Sequence, residues 1–97
     1  MPVKVEKYND ELIIKPIGSF DFKLDEEFSA AYKNERTDTR FVVDMGGVTL
    51  LDSSALGMLL KLNEYSQGGF YIQYNNTPDS VRDIFDLFRF TDRFHML

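Results

Sequence analysis

The sequence contains no cysteine and one histidine, His95. The absence of cysteine excludes disulfide bonds and thiolate metal sites. A single histidine provides too few ligands for an ordinary zinc or copper site. We therefore expect neither a metal nor another cofactor.

The chain also lacks long apolar runs and clusters of positive charge. No apolar run approaches the roughly 20 residues that a membrane span needs, and the opening stretch MPVKVEKYND lacks the apolar core of a signal peptide. The net charge is −5, from 16 acidic and 11 basic residues, and no basic cluster is longer than two residues. These features predict a cytoplasmic protein without membrane insertion and without direct contact to nucleic acid.

Large apolar side chains are abundant. Hydrophobic residues make up 43% of the 97 residues, and nine of these residues are Phe and five are Tyr. This composition is typical of a globular protein and supplies enough buried area for one core. We expect a single domain over residues 1–97.

Hydrophobic periodicity switches along the chain between the period of strands and the period of helices. Strands are predicted at residues 3–8, 11–18, 40–45 and 70–74, with a short strand in the last five residues. The first two are joined by a turn at Asn9-Asp10. Helical spacing occurs after Phe22, from Ser53 and after Thr77. The order predicts an α/β fold in which a mixed sheet of four to five strands packs against helices.

Several helix boundaries and faces follow from local signals. Thr77 is predicted to be an N-cap with Pro78 at the first helical position, and Gly68-Gly69 to end the preceding helix. One face of the second helix is predicted to contain Leu56, Leu59, Leu60 and Asn63, with Leu62 flanking it, and one face of the third to contain Val81, Ile84, Phe85 and Phe88.

The junction D-S-S at residues 52–54 has two interpretations. Asp and Ser are favoured N-caps, worth about 1 kcal/mol, so the three residues could only begin a helix. Hydrolytic chemistry is not supported, because His95 lies near the end of the chain and the surroundings of Ser53 are not G-x-S-x-G. We therefore expect no catalytic residue and no enzymatic activity.

The stretch VVDMGGVTLLDSSALGMLL resembles the central segment of the STAS domain family, the fold of bacterial anti-sigma factor antagonists. Members have an apolar strand, a short loop and then D-S-S/T-G/A-L-G at the start of a helix. ELIIKPIGSFDF and GGFYIQYNNTPDSVRDIFDLFRFTDRF resemble the flanking parts, so the likeness covers essentially the whole chain. Ala55 stands where many members have Gly.

The resemblance implies a switch based on phosphorylation. In such antagonists a partner serine kinase modifies the serine directly after the aspartate, which is Ser53 here, with Ser54 as the second candidate. Unmodified protein would bind the kinase or another anti-sigma-type regulator, and a serine phosphatase would reset the modified form. The phosphate would lie at a helix N-terminus, where backbone N–H groups can bind phosphate oxygens.

The predicted partner-binding residues are Asp21, Asp52, Ser53, Ser54, Ala55 and Gly57. Asp21 corresponds to an acidic residue that members have near the phosphorylated loop, although it could equally be a helix cap. Glycine is unfavourable inside a helix by roughly 1 kcal/mol relative to Ala. Gly57 therefore suggests close approach of another backbone, either in the core, which is favoured, or in a partner.

The alternative function is a STAS domain that serves as a constitutive subunit of a transporter or another multi-protein assembly and is never phosphorylated. Binding of a nucleotide or another small molecule is a third possibility, but no phosphate-binding loop supports it.

Overall fold

The structure, a computed structural model, describes residues 2–66 and 72–89 and the backbone of 95–96. The strands are β1 (Val3–Tyr8), β2 (Glu11–Pro16), β3 (Gly18–Phe20), β4 (Arg40–Asp44), β5 (Val48–Leu51), β6 (Gln73–Asn75) and β7 (His95–Met96). The helices are α1 (Asp25–Tyr32), preceded by a 3-10 turn at Phe22–Leu24, α2 (Ser53–Tyr65) and α3 (Asp79–Leu87).

The main sheet has five strands in the order β1-β2-β4-β6-β7. β1 and β2 pair antiparallel through the turn at Asn9, whose φ of 53° places it in the left-handed region. The other neighbours pair in parallel, because each connection crosses over through a helix. The predicted α/β fold with a mixed sheet is confirmed, as is a short final strand at the edge.

A second, two-stranded sheet lies beside the main one and was not predicted. The predicted strand 11–18 ends at Pro16, and the chain turns at Gly18, where φ is 84°. β3 then pairs in parallel with β5. The Gly18 amide donates to the Gly47 carbonyl at 2.8 Å, which ties the start of β3 to the loop before β5. This pair of strands leads directly into α2.

The core lies on one face of the main sheet. Leu12 is paired in register with Phe41, and Val43 with Tyr74, so their side chains share a face, and each is at most 1% exposed. All three helices cover this face. Their ring contacts with the sheet are Tyr32 to Phe41 from α1, Tyr65 to Phe41 from α2, and Phe85 to Tyr74 from α3.

Two helix faces differ from their predictions. In α2 the fully buried residues include Leu59 and Leu62, whereas Leu60 and Asn63 are half-buried. The buried face of α2 is therefore rotated about the helix axis relative to the predicted face, which buries the Leu62 side chain in place of the Asn63 amide. Phe88 is 52% exposed, because α3 ends at Leu87.

The start of α3 also differs from its prediction. The carbonyl of Pro78 accepts from the Val81 and Arg82 amides at 3.0 and 2.8 Å, so Pro78, in extended conformation, is the N-cap instead of Thr77. β6 reaches Asn75, one residue beyond the predicted strand. The predicted glycine cap at residues 68–69 and the start of the predicted strand at 70–71 lie outside the described residues.

Candidate functional site

Asp52 joins β5 to α2 and is the N-cap of that helix. Its backbone is extended, and its Oδ1 accepts from the backbone amides of Ser54 at 3.0 Å and Ala55 at 3.2 Å. Oδ1 also accepts from the Ser54 hydroxyl at 2.5 Å. The pKa of Asp52 is lowered from its usual value because these donors favour the charged carboxylate. The hydrogen bond from the Ser54 side chain has the largest effect. The carboxylate is therefore ionised at neutral pH.

The two adjacent serines have different environments. Ser53 is exposed, and its hydroxyl makes no hydrogen bond within the described part of the chain. Ser54 is half-buried, and its hydroxyl is bound to Asp52. Of the two hydroxyls, that of Ser53 is the one free to react with or bind another molecule.

Two backbone amides in the first turn of α2 are already occupied. The resemblance led us to expect that backbone N–H groups here would bind phosphate oxygens, but those of Ser54 and Ala55 donate to Asp52. That expectation is wrong for these two amides, because the aspartate that caps the helix takes the place of an external anion. A phosphate on Ser53 would not be neutralised by them.

Asp21 and Asp52 lie together beside the junction. Asp21 caps the 3-10 turn, with Oδ1 accepting from the Lys23 amide at 2.9 Å. The two aspartates border one open hollow of about 270 Å³, whose full lining is Ser19, Phe20, Asp21, Leu50, Leu51 and Asp52. Asp21 is thus both a cap and a neighbour of the D-S-S junction.

A second hollow lies on the α2 side of the junction. Its volume is about 200 Å³, and it is lined by Phe22, Asp25, Ser54, Gly57, Met58 and Lys61. The linings of the two hollows are close in sequence at two points: Asp21 is followed by Phe22, and Asp52 is two positions from Ser54. Phe22 is 68% exposed and Leu50 67% exposed, so a large apolar side chain borders each hollow.

Gly57 has no packing role within the domain. A Cβ built on it would meet nothing within 4 Å, which excludes close approach of a backbone in the core. The favoured interpretation of this glycine is therefore wrong, and the alternative, contact with a partner, remains.

Ala55 does not fit the prediction that it contacts a partner. Its side chain is 0% exposed, because it points into the core beneath α2. Asp21, Asp52, Ser53, Ser54 and Gly57, by contrast, all border the surface around the junction.

Sequence reasoning missed Phe22 and Leu50 as surface residues. Strand alternation does not identify Leu50, because β5 is buried at Val48 and Leu51 and exposed at both residues between them. No sequence signal distinguishes an exposed Phe22 from the buried Phe20 two positions earlier.

No group of three or more potential metal ligands occurs among the residues that the structure describes. Within the same residues, no helix is long and apolar enough to cross a membrane.

Comparison with known families identifies this fold. The family model described as "Mlab, STAS domain" matches residues 5–97. The chain belongs to the STAS domain family. A STAS-domain containing protein of Pseudomonas aeruginosa (strain UCBPP-PA14) is 41% identical over 86 residues, which are 87% of this chain and 85% of that protein.

Solved structures show the same STAS fold. A putative anti-sigma factor antagonist from Thermotoga maritima superposes with a TM-score of 0.82 at 14% identity, covering 97% of this chain and 84% of that one. An anti-sigma factor antagonist from Mycobacterium paratuberculosis has a TM-score of 0.82 at 17% identity, covering 97% and 82%. The antagonist SpoIIAA in its unphosphorylated form has a TM-score of 0.71 at 15% identity, covering 98% and 86%.

Proposed function

We propose that this STAS domain is a non-enzymatic regulatory module that binds a partner protein and releases it when Ser53 is phosphorylated. The partner is a serine kinase or another anti-sigma-type regulator, and a serine phosphatase restores the binding form. Solved relatives named as anti-sigma factor antagonists support a protein partner.

The observation that carries the proposal is the free Ser53 hydroxyl between Asp52, which borders one hollow, and Ser54, which borders the other. Leu50 in the first hollow and Phe22 in the second are each more than half exposed. Large exposed apolar side chains in one region are typical of interaction sites. Gly57 adds a place where a partner backbone can come close. We define the contact surface as Asp21, Phe22, Leu50, Asp52, Ser53, Ser54 and Gly57.

Phosphorylation would change the charge of this surface without disturbing its packing. A phosphoserine carries a charge of about −1.5 to −2 at neutral pH. It would stand beside the ionised Asp52, and the Ser54 and Ala55 amides donate to that carboxylate already. The added charge therefore acts on the partner by repulsion and desolvation.

The size of the effect requires Ser53 to lie inside the contact. Moving a partner from mostly bound to mostly free needs a difference of up to about 5 kcal/mol between the two forms. Charges on an open surface are screened by salt and give much less. In the unmodified complex the Ser53 side chain is then buried by the partner, in a place that a phosphate dianion could enter only by losing its water.

The test begins with the partner itself. The tagged full-length chain is used to isolate it from native cells, and the identified protein is then expressed, purified and titrated. We expect Ser53→Ala to bind like the wild type and Ser53→Asp to bind at least about tenfold more weakly, which corresponds to about 1.4 kcal/mol. The melting temperature of each variant is measured alongside.

Ser80→Asp is the matched control. Ser80 is also exposed in the first turn of a helix, α3, but lies outside the contact surface. Its substitution should leave the affinity unchanged. Equal affinities of the two Ser53 variants at physiological salt would contradict the switch and favour the constitutive subunit.

A further inference from the structure

The D-S-S junction presents two serine hydroxyls one residue apart, yet the proposed function uses one of them. A kinase that docks on the contact surface would find both within reach. The structure gives a physical reason why they are not equivalent.

Asp52 holds the Ser54 hydroxyl through one oxygen. The distance from Ser54 Oγ to Asp52 Oδ1 is 2.5 Å, and the same oxygen accepts from the Ser54 and Ala55 amides. These contacts fix the carboxylate and the hydroxyl together at the start of α2. Ser54 is also half-buried, on the wall of the hollow that contains Phe22 and Gly57.

We propose that Asp52 selects the phosphorylation site, by holding the Ser54 hydroxyl against its carboxylate and leaving the Ser53 hydroxyl as the acceptor. The inference rests on the proposed function, because it concerns the specificity of the same modification. It makes Asp52 a positioning residue, which acts through Ser54 and does not touch the transferred phosphate.

The chemistry of transfer makes this difference matter. The attacking serine Oγ forms a bond to the γ-phosphorus of a nucleoside triphosphate on the kinase, and the bond from that phosphorus to the β–γ bridging oxygen breaks. The nucleoside diphosphate leaves, and the hydroxyl proton passes to a base on the kinase. Ser54 would first have to break its hydrogen bond to a charged group. The same carboxylate oxygen also accepts from the Ser54 and Ala55 amides, so the bond holds the Ser54 hydroxyl in place at the start of α2.

The test compares Asp52→Ala with Asp52→Asn in the full-length chain purified from native cells, with phosphorylation mapped by peptide mass spectrometry. Asp52→Ala removes the acceptor, and we expect the ratio of phosphate on Ser54 to phosphate on Ser53 to rise at least about tenfold, the lower end of the worth of one hydrogen bond to a charged group. Asp52→Asn keeps an acceptor oxygen without the charge, and we expect phosphorylation to stay on Ser53. An unchanged ratio in Asp52→Ala overturns the inference.

Ser53→Ala provides a second measurement in which the cap is intact. With Asp52 present, Ser54 should stay unmodified, whereas the double variant Asp52→Ala/Ser53→Ala should carry phosphate on Ser54. Phosphate on Ser54 in the single variant Ser53→Ala would contradict the role of Asp52. A wild-type chain without phosphate on Ser53 would instead contradict the proposed function, so the two failures are distinct.

Discussion

Gly57 lies in the middle of α2, although nothing within the domain requires a glycine there. Its backbone is not in the left-handed region, and added side-chain atoms would enter open space beside Phe22 and Lys61. A glycine at such a position lowers the stability of a helix by about 1 kcal/mol relative to Ala. A residue that weakens its own helix and borders an exposed apolar hollow is best explained by a partner that comes close to the backbone.

Gly57→Ala should therefore separate stability from binding. We expect the free energy of unfolding to rise by up to about 1 kcal/mol, which raises the melting temperature of a domain of this size by about 4–8 °C. We expect affinity for the purified partner to fall, because the methyl group occupies the contact. Calorimetric melting and titration of the same preparation give both values.

Glu64→Ala is the control for Gly57. Glu64 is exposed on the same helix and lies outside the contact surface. Both the stability of the Glu64→Ala variant and its affinity for the partner should therefore stay near those of the wild type. Higher stability with unchanged affinity for Gly57→Ala would remove Gly57 from the contact surface.

Among the elements, α3 begins differently from what its local sequence predicts. Thr77 followed by Pro78 is a common N-cap pattern. Here the Pro78 carbonyl accepts the first helical hydrogen bonds, and the Thr77 Oγ1 atom is buried without a hydrogen-bond partner in the described residues. A buried hydroxyl without a partner is unfavourable.

Thr77→Val tests this arrangement. Valine has nearly the same shape as threonine and removes the unpaired hydroxyl, so we expect the free energy of unfolding to stay equal or to increase. If Thr77 capped the helix, the same change would lower it by about 1 kcal/mol. Urea unfolding distinguishes the two outcomes, and a clear loss of stability would show that the hydroxyl is bonded in solution.

The pair of strands β3 and β5 is the element that positions the contact surface. Register brings Phe20 beside Leu51, and each strand continues into an aspartate that caps the next turn or helix. The Asp52 amide also donates to the Phe20 carbonyl at 3.4 Å. Asp21 and Asp52 are therefore neighbours because two parallel strands end side by side.

For the whole molecule, three carboxylates contribute to how stability depends on pH. The pKa of Glu6 is lowered mainly by its hydrogen bond with Lys15, that of Asp38 by its hydrogen bonds with Arg36, and that of Asp52 by the Ser54 hydroxyl. Each of these carboxylates, when ionised, stabilises the folded state. This stabilisation is fully present above the pKa of the carboxyl group in the unfolded chain, near pH 4, and is lost as the pH falls through its lower pKa in the folded protein.

We expect the melting temperature to be nearly constant between about pH 6 and 8 and to fall progressively below about pH 4. The pKa of Lys15 is raised, so its contribution is lost only in strongly alkaline solution. The triple variant Glu6→Gln/Asp38→Asn/Asp52→Asn should melt lower at pH 7 but show a smaller fall between pH 7 and pH 3. Calorimetry across this range measures both, and a fall as large as that of the wild type would contradict the assignment.

Local chemistry determined much of this protein from the sequence alone. Period-two alternation places β1, aspartate at the end of a strand predicts the cap of α2, and the order of elements predicts a mixed sheet covered by helices. These features depend on residues within a few positions of one another, so the sequence contains the information directly. The resemblance of D-S-S-A-L-G to the STAS family has the same local character.

Only the tertiary structure decided which of these residues face outward and what they touch. The split of the second predicted strand at Gly18 depends on pairing with Val48, 30 positions away. The rotation of α2 that buries Leu62 depends on the sheet and helices packed against it. That Gly57 faces open space follows from the positions of distant atoms, which no spacing of residues encodes.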